Sequence, residues 1–460
     1  MKNAEVLPFS RNAAPSFVST RNACKLCAPL GASIVFRGIE GCIPLIHGSQ
    51  GCSTYIRRYI ISHFREPIDI ASSNFSETSA IFGGGDNLKN ALDNVIRQYN
   101  PAAIGIATTC LSETIGDDIR LYLGQYRAGK GETNLPELIH ASTPSYRGTH
   151  MDGYQAALKA TVEGLAHGGR RHNRINVLPG FLSPADLRHL KEILSDFRIK
   201  YTLLPDYSET LDGESWSDYQ KLAPGGTKIA SIHGMGEAFK TLQLGRSLAD
   251  LETAANSLET RFGIPIRTLG IPVGIRETDR FFQELENLSG LATPPRYSRE
   301  RGRLVDAYID AHKYVFGKRA VLYGEIDLVV ALASFLDEIG MIPVLCATGA
   351  ASERFKNIVS SVLEHDSPDQ RIAEDADFAT ILERCRRVKP DVIIGNSKGY
   401  YLAKELGIPL IRAGFPIHDR IGAQRILHVG YGGTQQLFDR ITNGLMECRQ
   451  ESSPVGYSYL

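Results

Sequence analysis

No stretch of this chain approaches the roughly 18 uninterrupted apolar residues of a membrane helix, and the N-terminal MKNAEVLPFSRNAAPSF has no apolar core of the signal-peptide kind. A soluble, cytoplasmic protein is expected. Net charge is missing too. The 51 Lys and Arg residues offset 51 Asp and Glu, so no whole-protein field points to nucleic acid or an anionic membrane. Cysteine is scarce, eight in 460 residues, which is too few for a disulfide scaffold; in a reducing compartment these remain thiols open to metals. Phosphate-binding motifs are absent. FGGGDN (82–87) lacks the spacing and lysine of a P-loop and reads as a turn into a helix beginning near Asn87. YGEID (323–327) follows a strand without G-x-G-x-x-G, and Ser49 in GSQG is not part of a G-x-S-x-G elbow. Tandem repeats and low-complexity tracts are also lacking.

What is present is alternation. Short apolar runs ending in Gly, Pro or Asp recur between amphipathic stretches, the pattern of parallel βαβ units. Strands are expected at 102–110, 174–180, 200–206, 318–324, 342–349, 391–397 and 408–414, with helices such as NLKNALDNVIRQY and LVVALASFLDEIG among them. The length calls for two to four domains at about 150 residues each. Polar seams at EGLAHGGRRHNR (163–174) and TPPRYSRERGR (293–303), the latter preceding a long helix, divide the chain into 1–170, 171–305 and 306–460 with a C-terminal tail. The expected fold is α/β, with three doubly wound Rossmann-like domains and mostly parallel sheets.

Ligands of open parallel sheets gather beyond the carboxyl ends of strands, and Cys110 stands at one such junction, where IGIATTC runs into LSETIGDD. Five of the eight cysteines (Cys24, Cys27, Cys42, Cys52, Cys110) fall in the first quarter; Cys346, Cys385 and Cys448 have core or helical contexts. CKLC pairs Cys24 with Cys27, a spacing open to a redox dithiol, a zinc half-site or iron–sulfur ligation. No strand precedes it as in a thioredoxin-like site, and Cys42 and Cys52 are ten apart, unlike a second zinc pair, which puts the iron–sulfur reading ahead. Thiolates are soft donors that share charge with iron and sulfide, and Gly48 and Gly51 in HGSQGC would let the main chain approach a bulky group at Cys52. Cys42, in GCIPLI, reads as a buried core thiol. His47 reads as a cap of the glycine turn, Asp117 and Asp118 as caps of the following helix, and Arg57, Arg58 and Arg65 as a solvated helix face.

CAPLGA (27–32), HGSQGC (47–52), HFREP (63–67), FGGGDNLK (82–89), TTCLSETIGDD (108–118) and TPSY (143–146), followed by PVGIRETD, IGNSKG, RAGFPIHDR and VGYGG, resemble in this order the β-type subunits of nitrogenase component 1 and their relatives. The likeness spans nearly the whole chain. It implies an oxidoreductase subunit in which Cys27, Cys52 and Cys110 bind half of an 8Fe-7S P-cluster, with Ser145 a ligand of its oxidised form. The remaining ligands would come from an α-type partner in an α2β2 heterotetramer, and electrons from an ATP-hydrolysing iron protein. Within that superfamily stand nitrogenase β chains, β chains of methylthio-alkane reductases that cleave carbon–sulfur bonds, and scaffold subunits for cofactor assembly that carry a smaller 4Fe-4S cluster. The full ligand set favours the electron-transfer reading; ACKLC and the RAGFPIHDR tail also resemble scaffold chains, and Cys24 could be an added ligand.

Overall fold

A computed structural model describes residues 23–131, 135–249, 251–364 and 371–455; the N-terminal stretch read above and the end of the C-terminal tail lie outside them. Three sheets organise the chain, and every strand pairing within them is parallel. The first has the order β2-β1-β3-β4, from β1 (Cys42–His47), β2 (Ala71–Ser72), β3 (Ala103–Thr108) and β4 (Glu137–Ala141). The second is β6-β5-β7-β8, from β5 (His172–Leu178), β6 (Tyr201–Leu203), β7 (Ala238–Leu244) and β8 (Ile266–Leu269). The third is β11-β10-β9-β12-β13, from β9 (Arg319–Gly324), β10 (Ile342–Thr348), β11 (Arg371–Ala373), β12 (Val392–Gly395) and β13 (Leu410–Arg412). The α/β class and its parallel sheets are as the sequence predicts. Among the described residues no helix is long and apolar enough to cross a membrane.

Each of the seven predicted strands is present, while β1, β2, β4, β7, β8 and β11 were not foreseen. β1 shows why. Its CIPLIH is buried at all six positions, as a strand covered on both faces must be, but Pro44 argues against a central strand. The conflict is resolved by β2, which pairs only with Leu45 and Ile46, so Pro44 has no ladder bond to lose on that side. The long helix placed after residue 303 begins at Pro295 and runs to Val315. Proline at the first helical position costs no hydrogen bond, and Tyr297 and Leu304 are buried beneath the polar face that reads as a seam.

One continuous apolar core runs through all three units, from Leu26 to Ile441. Smaller clusters cover the other faces of the first and third sheets. The helix Ala28–Arg37 is buried at every position and lies on β3, where Gly105 leaves room for the Phe36 ring: a Cβ there would stand 2.1 Å from it. The same helix packs on His150–Leu165 at backbone contact. A Cβ at Gly31 would meet the His150 carbonyl oxygen at 1.7 Å, and one at Gly153 the Ala28 oxygen at 1.8 Å.

Neither carbonyl can move without breaking its helix, so Gly31→Ala or Gly153→Ala should lower stability by about 3 kcal/mol. Gly164→Ala, on the same helix with nothing within 4 Å of its would-be Cβ, should leave stability equal or raised by up to about 1 kcal/mol. Urea midpoints of the three variants check both outcomes.

Candidate functional site

In the first sheet the strand order reverses between β1 and β3, and the crevice beyond such a reversal is where open parallel sheets bind ligands. Both strands run into helices there. β1 ends at His47 and leads to the helix Gln50–His63, with Cys52 in its first turn; β3 ends at Thr108 and leads to Cys110–Ile115, with Cys110 as first residue. β4 ends at Ala141, ahead of the short turn Ser145–Arg147. Cys27 arrives from elsewhere, as the N-cap residue of Ala28–Arg37.

The two strand-end loops are locked to each other by backbone. Thr109 donates from its N–H (3.2 Å) and from Oγ1 (3.1 Å) to the His47 carbonyl. Gly48 is required by this contact, because a Cβ there would come within 2.2 Å of Thr109 Oγ1. Thr109 also caps its own helix, accepting from Ser112 N–H, which fixes Cys110. Gly51 differs: its would-be Cβ meets nothing closer than Ser49 Oγ at 3.8 Å, and the residue is exposed.

Ser145 joins the remaining parts. Its N–H donates to Cys110 Sγ at 3.3 Å, and its Oγ accepts from the N–H of Ala28, the residue after Cys27, at 3.0 Å. Ser49 Oγ lies 3.6 Å from Cys52 Sγ. Burial pushes the Cys27 thiol up to about 11; the Leu30 N–H opposes that shift, and Cys52 and Cys110 add to it. The Cys27 sulfur therefore lies within electrostatic reach of Cys52 and Cys110. All three are partly exposed and free of disulfides. Exposed Tyr55, Leu111 and Tyr146, three residues after Cys52 and one after Cys110 and Ser145, flank this face.

Cys24 lies apart from this group. It is buried against β9 and β10 in the core of the third sheet, and burial pushes its thiol up to about 12. Cys42 and Cys346 are core thiols, likewise pushed up to about 12 by burial.

The polar support beneath the site was only partly legible. His47 does not cap a turn: it is buried, with Nε2 3.0 Å from Asp117 Oδ2 and its ring edge-on to Phe75. Asp117 accepts further bonds from Gly84 N–H (3.0 Å) and the Tyr122 hydroxyl (3.1 Å). Asp118 is the helix cap, accepting from Leu121 N–H. Glu113 gathers the Thr108 and Ser142 hydroxyls. Of the arginines, Arg57 and Arg65 are tied to backbone carbonyls at Ile68 and Glu214, and Arg58 is exposed.

Among the described residues, no three His, Cys, Asp or Glu side chains form a site for a single metal ion. The donor set suits a larger group. Three soft, partly exposed thiols, with an amide already aimed at one sulfur, fit the needs of an iron–sulfur cage.

Residues 27–446 match the family described as Nitrogenase component 1 type Oxidoreductase. The chain is 38% identical over 445 residues to the nitrogenase molybdenum-iron protein beta chain of Clostridium pasteurianum, covering 94% of this chain and 96% of that one. It is 33% identical over 446 residues to the nitrogenase iron-molybdenum cofactor biosynthesis protein NifN of Bradyrhizobium diazoefficiens, covering 95% and 92%. Among solved structures, a chain of "Nitrogenase Cp1 at pH 6.5" superposes with a TM-score of 0.92 at 34% identity, over 98% of this chain and 99% of that chain.

Two histidines with lowered pKa make the isolated chain acid-sensitive. Burial lowers His63 to about 3 and His140 to about 4, from 6.5. Below pH about 6.5 the unfolded chain binds protons that the folded chain refuses, so stability falls with pH down to those values, by up to about 1.4 kcal/mol per pH unit for His63. His63→Asn, which keeps an acceptor for the Ile417 N–H, combined with His140→Gln should flatten the decline in urea midpoints measured from pH 7 to 4.

Proposed function

The chain belongs to the nitrogenase component 1 type oxidoreductases, and from that premise we propose that it is the β-type, electron-transfer subunit of a nitrogenase-like reductase. Cys27, Cys52 and Cys110 hold half of an 8Fe-7S P-cluster, and an α-type partner in an α2β2 assembly completes it. Electrons come from an ATP-hydrolysing iron protein and pass to a catalytic cofactor in the α-type partner; the substrate is dinitrogen or a carbon–sulfur compound such as a methylthio-alkane. The observation that carries this reading is the convergence of the three thiols with Ser145 at the reversal of strand order, on a face that is open and rimmed by Tyr55, Leu111 and Tyr146. Exposed apolar side chains around incomplete ligation are what a partner chain would cover.

When bound, the cluster supplies a store and relay for electrons. The chain supplies the surroundings. The Ser145 N–H bonded to Cys110 Sγ stabilises negative charge on that sulfur and so favours the reduced state. The Ala28 N–H, aimed at Ser145 Oγ, would stabilise that oxygen once its proton is lost, as ligation on oxidation requires. Gly51 leaves open space beside Cys52. We place Cys24 outside the ligand set, since its thiol is buried in a separate cluster.

The second reading is a scaffold subunit for maturation of the iron-molybdenum cofactor, favoured by the similarity to the cofactor biosynthesis protein. The chain would then share a 4Fe-4S cluster with its partner. Anaerobic co-purification with the α-type partner, iron quantification and redox-dependent EPR separate the two: eight irons per interface with a spin change on oxidation support electron transfer, and four irons support the scaffold. Cys52→Ala and Cys110→Ala should each lose cluster iron. Unchanged iron in either variant contradicts the ligand assignment.

A further inference from the structure

The segment that delivers Cys27 is held by residues of the third unit and not by the first sheet. Ala23 bridges Asp377, and Cys24 N–H donates to the Ala376 carbonyl at 3.1 Å. Lys25 Nζ lies 2.8 Å from Asp375 Oδ1, and Lys398 Nζ donates to the Ala23 carbonyl. The last residue before Cys27 is gripped differently. His150 N–H donates to the Leu26 carbonyl at 2.9 Å, and Leu26 N–H donates to His150 Nδ1 at 3.4 Å. With Nδ1 accepting, the imidazole proton is on Nε2, which donates to Glu325 Oε1 at 2.9 Å. Both side chains are nearly buried, at 6% and 8% exposure. Glu325 follows directly on β9, the strand beside which the third sheet reverses its order.

We propose that Glu325 and His150 are positioning residues for the cluster: Glu325 orients the imidazole, and His150 fixes Leu26 on both its N–H and C=O, setting the direction in which Cys27 presents its sulfur. The third unit thereby helps to set the potential of a cluster whose other ligands lie on the first sheet. This rests on the ligand assignment made above. The imidazole works here as a geometric link, with one acceptor and one donor in fixed roles. Gly31 and Gly153 support it, because they bring the Cys27 helix against the backbone of His150.

Two substitutions separate position from charge. Glu325→Asp keeps the charge and withdraws the acceptor by one methylene; Glu325→Gln removes the charge and keeps an oxygen at the same reach. In the complex assembled with the α-type partner, Glu325→Asp is expected to shift the cluster's midpoint potential at unchanged iron content and to speed hydrogen exchange at the Leu26 amide. Glu325→Gln should match the parent in both measurements. A displaced potential or faster exchange in Glu325→Gln, or unaltered values in Glu325→Asp, overturns the proposal. If Glu325→Asp does not fold, His150→Gln, which loses the acceptor at Leu26, should speed exchange there, and an unmoved amide overturns the proposal. Cys27→Ala, measured alongside, reports on the ligand assignment through iron content alone. If it retains the parent's iron, the functional reading fails, while the exchange comparison still decides the positioning step.

Discussion

Thr109 and Ser145 hold together a site that thiols alone would push apart. Burial raises the Cys27 thiol, and the charges of Cys52 and Cys110 add to that shift. What keeps the three together is hydrogen bonding of Thr109 and Ser145 to the main chain. Thr109 bonds the His47 carbonyl twice and so fixes the loop leading to Cys52 against the one leading to Cys110. Ser145 then ties Cys110 to the backbone beside Cys27. The buried backbone groups of these loops need partners in any case, so the arrangement that satisfies them also brings together three sulfurs that are far apart in sequence.

The glycines have a different role from the one their placement suggests. Gly48 is set by Thr109, Gly105 by Phe36, and Gly31 and Gly153 by carbonyls of opposing helices. Each is a point where two segments approach closely, and the cysteine-bearing helix lies at the centre of these contacts. Gly51, beside Cys52, has no such close approach: its would-be Cβ meets only Ser49 Oγ, at 3.8 Å. Rigidity around the site thus comes from close packing through the shared core, and the thiols stand at its partly exposed side.

Much of this was legible in the sequence, for identifiable reasons. Parallel strands buried on both faces read as apolar runs, so β3, β5, β9, β10 and β12 stood out. β1 did not, because proline and cysteine obscure a run whose unusual residue is excused by a two-residue neighbour. The helix at Pro295 was hidden by prolines that start helices as readily as they end them. At the site, Cys27, Cys52, Cys110 and Ser145 came from a run of motifs in one order. Asp117 reads as a cap because spacing cannot reveal that it reaches His47 and Gly84 across the fold. His150 and Glu325, 175 residues apart, carry no local signal, since their pairing depends on how separate units pack.

The central claim is that the sulfurs of Cys27, Cys52 and Cys110 grip one inorganic cage at a chain boundary. Iron anomalous diffraction from crystals of the anaerobically assembled complex tests it most directly. Iron density in bonding contact with all three sulfurs, continuing into the α-type partner, is the predicted result. Density absent from that crevice, or touching only one of the three sulfurs, would contradict the account.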